Sequence, residues 1–192
     1  MAAMRAHEME RLYTVEEFEQ LAEFGDRYDL IDGRLVKRPV PGGKHSFIID
    51  NIRDALKAFD PKRKLGFSLQ EASVRLGPGN APTPDMSFWK AERGVEISDS
   101  AMPRPDLAVE VHSPSDLKSK TTLASAMVKI EKLVEAGVPI VWVVYPNKRE
   151  VEIYHSTRGY QAGPASRLGT SDTLSGEDVI PGFILPVKAL FG

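Results

Sequence analysis

The sequence predicts an α/β fold, one domain with a mixed central β-sheet flanked by helices. Three observations carry this. Two apolar runs of strand length, L-A-V-E-V-H at 107–112 and P-I-V-W-V-V-Y-P at 139–146, are bounded by proline and turn residues. Stretches with apolar residues at helical spacing, 44–59 and 124–136, precede the first run and separate the two. The 192 residues, 42% of them hydrophobic and 27% charged, suffice for one sizeable core and not for two. Strands alternating with helices pack as layers around one sheet.

The elements follow in order. Residues 1–13 read as a flexible N-terminal segment. Thr14-Val15-Glu16-Glu17 has the form of a capping box, and Val15, Phe18, Leu21 and Ala22 continue a short amphipathic helix to about Glu23. Y-D-L-I-D-G-R-L-V (28–36) sets two apolar runs either side of Asp32-Gly33, a strong hairpin signal. After a loop at 39–43, Ile48, Ile52, Leu56 and Phe59 form a helical stripe closed by Asp60-Pro61, and the basic cluster Lys62-Arg63-Lys64 follows. Alternation over 66–76 predicts a strand from about Gln70 to Leu76, and G-P-G-N-A-P-T-P (77–84) is turn chemistry. P-D-M-S-F-W (84–89) opens the next strand, with Asp85, Ser87 and Trp89 on one face and Met86 and Phe88 on the other. Residues 90–103 read as an irregular surface loop.

In the run 107–112, Leu107, Val109 and Val111 share one face and Ala108, Glu110 and His112 the other. Ser113 to Asp116 is a loop, with Asp116 or a later Ser/Thr as cap for the helix 124–136, and Gly137 ends that helix. Strand 139–146 turns at Asn147-Lys148 into an antiparallel partner, R-E-V-E-I-Y-H-S. The tail around V-I-P-G-F-I-L-P-V adds one or two short elements. No internal repeat is present.

Composition removes several function classes. Without cysteine there is neither a disulfide framework nor a thiolate metal site. No apolar run approaches the ~20 residues needed to cross a bilayer. The N-terminus lacks the apolar core of a secretory signal, so no membrane is expected and the cytoplasm is the default compartment. The histidines at 7, 45, 112 and 155 are too scattered for a zinc site, and no Gly-x-Gly-x-x-Gly or Walker loop is present. A net charge of −2 and a pI near 6.1 exclude a uniformly cationic surface, but a local patch is enough to hold nucleic acid.

Three residues carry the candidate chemistry: Asp85 opening a strand, Glu110 inside the next one, and Lys129 on the following helix. A charged group in mid-strand costs on the order of 1–3 kcal/mol or more to bury unless it is paired or metal-bound. Consecutive strands tend to be neighbours, so both carboxylates can share one sheet edge, where they repel unless a proton or a cation lies between them. With oxygen ligands only, the natural ion is Mg²⁺ or Mn²⁺, which lowers the pKa of bound water and neutralises charge building on a phosphate. An amine from Lys129 would add to that stabilisation. Each residue also has a plainer reading: Asp85 as a turn residue, Glu110 in a salt bridge within the sheet, Lys129 as a solvated helix lysine. His45 reads as a helix cap or surface group. Glu71 either pairs with Arg75 across the strand or lines the site. Lys62–Lys64, Lys118 and Lys120 are a wetted face or phosphate contacts.

P84-D85, then E110-V-H-S-P-S-D, then K129-I-E-K-L-V-E-A-G-V-P-I-V-W-V-V-Y-P resemble the Uma-type putative restriction endonucleases of the PD-(D/E)xK nuclease superfamily. Y28-D-L-I-D-G, P41-x-x-x-H45 and V179-I-P-G-F extend the resemblance over nearly the whole chain. It implies a restriction-endonuclease-like core and Mg²⁺-dependent (or Mn²⁺-dependent) cleavage of DNA. Asp85 and Glu110 would be the metal carboxylates, with the Val111 carbonyl as a further ligand. The superfamily lysine normally lies two residues after the acid, where this chain has His112. In this family it is displaced to the next helix, which assigns the role to Lys129 and leaves His112 as a second candidate. Asp29 stands where the family more often has Glu and could reach the metal or its water. Tyr145 replaces a usual Asp and Leu133 a usual Tyr. By analogy a homodimer is expected. The competing reading is a non-catalytic nuclease-fold module for nucleic-acid binding or assembly.

Overall fold

The computed structural model describes residues 11–21, 28–112 and 120–192, with the side chains of 120–123 left aside. The cap expected at Asp116, Lys118, the far end of the first helix and most of the N-terminal segment lie outside the described residues.

The chain begins with helix α1 (Val15–Glu19), whose predicted capping box is complete: the Glu17 N–H donates to Thr14 Oγ1, and the Thr14 N–H donates to Glu17 Oε2. Strands β1 (Tyr28–Ile31) and β2 (Arg34–Lys37) form the expected hairpin, and Asp32 and Gly33 take the positive φ that its turn requires. Helix α2 (Gly43–Phe59) buries Ile48, Ile49, Ile52 and Leu56. Then come β3 (Gly66–Gln70), the two-residue β4 (Val74–Arg75), β5 (Met86–Lys90), β6 (Met102–Pro103) and β7 (Leu107–Val111). Helix α3 (Lys120–Glu135) leads to β8 (Ile140–Tyr145) and its antiparallel partner β9 (Glu150–His155). Strands β10 (Ser166–Leu168), β11 (Thr173–Ser175) and β12 (Ile184–Pro186) complete the tail.

Six strands make the central sheet in the order β10-β9-β8-β7-β5-β3. Only β7 and β8 run parallel, joined through α3, so the sheet is mixed. Period-two alternation sends Leu107, Val109 and Val111 to the face covered by α2, together with Met86, Phe88, Trp142 and Val144. Ala108, Trp89, Val141 and Val143 go to the other face, against Ile130, Leu133 and Val134 of α3. Both faces of β7 and β8 are buried, which is why their sequences read as nearly continuous apolar runs. A third cluster (Tyr13, Val15, Phe18, Leu30, Leu35, Ala81) fastens α1 and the hairpin to the loop before β5.

Two expectations need correction. The strand predicted over 70–76 is divided: β3 covers 66–70, and Glu71 turns the chain out of the sheet at φ +49°. Val74 and Arg75 then pair in parallel with Met102 and Pro103, inside the stretch read as an irregular loop. Alternation cannot reveal such a break, because side-chain period is blind to one left-handed residue. Helix α3 also begins at Lys120, earlier than its apolar stripe indicated.

Candidate active site

The site forms where β5 begins and β7 ends. The antiparallel register pairs Met86 with Val109, and one further step brings Asp85 level with Glu110. Both project to the α3 face, the alternation that the sequence dictates. Asp85 is fixed there by the Val111 N–H, which donates to its Oδ2 at 2.6 Å. Glu110 is buried at 8% exposure.

Lys129 reaches this edge from α3. Its Nζ lies 2.9 Å from Glu110 Oε2 and 3.8 Å from Asp29 Oδ2, and it donates to the Thr83 carbonyl at 2.9 Å. Asp29, on β1 and equally buried, accepts the Thr83 N–H at 2.7 Å. Thr83 therefore bridges the hairpin acid to the helix amine through its two backbone polar groups. On the other side of Asp85, His45 Nε2 stands 3.0 Å from the same Oδ2. The reading of His45 as a cap or surface group is corrected here: its side chain is 11% exposed and faces the acid. The P-x-x-x-H spacing carried the only signal for it; that Thr83 serves through its backbone left no signal in residue type.

His112 is also buried, and its ring stacks on Tyr145 with centroids 4.9 Å apart. It lines the same cavity, while the contact to Glu110 is made by Lys129. Glu71 is exposed at the rim. The pairing of Glu71 with Arg75 is not formed, because Arg75 engages Glu16 at 2.5 Å and Glu19 at 3.6 Å. Leu133 and Tyr145 take core and ring-stacking places. Asp106, in a second Pro-Asp pair, has a structural role: it accepts the Lys90 N–H at 2.9 Å and pairs with Arg93 at 3.0 Å.

Asp29, Asp85 and Glu110 gather around the Lys129 ammonium, with His45 against Asp85 and the Arg38 charge acting on Asp29. Burial drives Glu110 well above the usual carboxylate range, only partly offset by Lys129. Burial also raises Asp29, against the pull of Lys129 and the Thr83 N–H. Burial would raise Asp85 too, but His45, Lys129 and the Val111 N–H together hold it below its ordinary value. Lys129 is shifted upward, because the three acids outweigh the cost of burying its charge. The cluster opens into a cavity of about 400 Å³, walled on its far side by the apolar hairpin residues Ile31, Leu35 and Val36.

The model of the Uma2 family, described as putative restriction endonuclease, matches residues 15–188. The chain belongs to the Uma2 family. Among solved structures, a putative nuclease of the DUF820 group from Anabaena variabilis ATCC 29413 superposes with a TM-score of 0.72 at 19% identity. It covers 93% of this chain and 97% of its own. At that identity the likeness carries the fold and nothing finer. No curated protein matches the chain.

Among the described residues of this Uma2 chain, no three His, Asp or Glu side chains form a ready metal cage. A hard divalent cation does not require one. Mg²⁺ is held by one or two carboxylates and keeps several waters, taking further oxygens from substrate phosphate. The residues fit that ion. Glu110 Oε1 is buried and has no hydrogen-bond partner among the described residues, although Oε2 is paired. The all-oxygen donor set of Asp85, Glu110 and the Val111 carbonyl suits it.

Proposed function

We propose that this protein is an Mg²⁺-dependent endonuclease that hydrolyses DNA phosphodiester bonds at Asp85, Glu110 and Lys129. One observation carries the reading: an acid just before β5, an acid from β7 and an amine from α3 converge in a single cavity wall, with one buried carboxylate oxygen unpartnered among the described residues. Asp85, Glu110 and the Val111 carbonyl would hold the cation. When bound, the cation supplies Lewis-acid activation of water and neutralises charge on the phosphate. Lys129 places a fixed positive charge where the phosphate gains negative charge, and its bonds to Thr83 O and Glu110 keep it from reorienting during the reaction. His45 and the Val111 N–H hold the Asp85 carboxylate in one orientation, and Asp29 holds the Thr83 backbone beneath Lys129. Two copies would present two such sites to the two strands of a duplex.

The test is nicking of supercoiled plasmid. Activity should require Mg²⁺ or Mn²⁺ and vanish with chelator. Glu110→Gln and Lys129→Met should each lower it by roughly 10²-fold or more, the scale expected when a fixed charge at the reacting group is removed. Calorimetric titration with Mn²⁺ should show a site that Asp85→Asn abolishes. A binding or assembly module would show neither the metal site nor the nicking.

A further inference from the structure

The cavity holding the catalytic cluster is not the only one that Asp85 lines. His45, Glu71 and Asp85 also line a second cavity of about 320 Å³, bounded by Asp50 on α2 and Gln70 at the end of β3. Gln70 in turn belongs to a third, of about 210 Å³, lined by Arg53, Lys57, Phe59 and Arg63. The three abut at shared residues, so a trough runs from the site along the seam between α2 and β3. At the middle of it, Arg53 pairs with Asp50 at 2.9 Å and with Asp54 at 3.2 Å, and reaches Gln70 at 3.5 Å.

The far end differs in character from the rest of an acidic chain. Lys57, Lys62, Arg63 and Lys64 are exposed; Lys64 acts on Asp60, and the other three form no ion pair with a described residue. Asp60, the acid among them, is occupied by the backbone N–H groups of Lys64 and Leu65 at 2.9 and 2.7 Å. Phe59 is 42% exposed at this rim and is braced edge-on by Phe183, with centroids 5.5 Å apart. Unpaired cations beside an exposed, braced ring combine the two contacts that hold single-stranded nucleic acid: phosphate neutralisation and base stacking. From His45 to Lys57 the helix rises about 18 Å at 1.5 Å per residue.

We infer that this trough is the path by which one nucleic-acid strand runs away from the reacting phosphate, with its backbone on Lys57 and Arg63 and a base on Phe59. The inference rests on the nuclease reading for its ligand, but its test does not need cleavage. Fluorescence anisotropy of a labelled 20-nucleotide single-stranded DNA, measured with the full chain in chelator across a salt series, reads it. Lys57→Glu and Arg63→Glu should each weaken binding by roughly fivefold or more and flatten the salt slope by about 0.7, one phosphate contact each. Arg158→Glu, the same charge change in the turn that follows β9, four strands across the sheet from β3, should alter binding less than about twofold.

The path is overturned if the wild-type chain does not bind, if the two trough variants bind like wild type, or if all three variants weaken equally. A chain that binds as expected but never nicks plasmid keeps the path and loses the nuclease reading. A chain that nicks while its trough variants bind normally does the reverse.

Discussion

Neighbouring acids in the cluster make opposite contributions to stability. Glu110 is held above the usual carboxylate value of 4.5, so folding penalises its ionised form. That penalty is absent below about pH 4.5 and complete once pH has risen past the folded value. Glu110→Gln should therefore gain on wild type as pH increases from that point, read by urea denaturation in chelator. Asp85 is held below its ordinary 3.8, so its contribution is present above that value and lost as pH falls through the depressed one. Asp85→Asn should accordingly be the less stable variant at neutral pH. Lys129→Met strips the ammonium shared by Glu110, Asp29 and Asp85 and should cost about 3 kcal/mol at neutral pH, the loss shrinking as pH falls and the acids protonate. Equal behaviour of the two acid variants across pH would refute this electrostatic account.

At the scale of elements, the edge of the sheet depends on a glycine. A Cβ on Gly66 would lie 2.1 Å from the Trp89 carbonyl oxygen and 2.6 Å from the Phe88 ring. Backbone cannot yield as a flexible side chain would, so β3 would have to leave β5. Gly66→Ala should cost about 3 kcal/mol or more. Amide exchange should locate the damage in Gly66–Gln70 and leave β7 and β8 protected; uniform loss of protection across the sheet would contradict that. The positions of Asp85 and Glu110 come from the β5–β7 register rather than from β3, so the site should outlive this change better than the trough.

Over the whole molecule, the described surface carries no helix long and apolar enough to cross a membrane. Exposed apolar side chains are scattered, with Val40 and Phe47 near the start of α2 and Ile184 on β12. On the nuclease reading proposed above, cutting both strands of a duplex favours two copies, and sedimentation should then report twice 21.2 kDa, or 42.4 kDa. A species at 21.2 kDa under nicking conditions would restrict each encounter to one strand. It would predict nicked circles accumulating before linear product.

Much of the site could be read without coordinates. Period-two alternation put Glu110 on the face opposite Leu107, Val109 and Val111, and helical spacing put Lys129 on the element after it. Both periods are local properties of the backbone, which is why α1, the hairpin, β7 and β8 appeared where the sequence placed them. What the chain alone left open was distance. Asp29, Thr83 and His45 join Asp85, Glu110 and Lys129 across separations of up to a hundred residues, and only tertiary packing brings them within hydrogen-bonding reach. The break at Glu71 and the trough along α2 belong to the same class: they depend on how layers meet, and no periodicity in one segment encodes where another segment will lie.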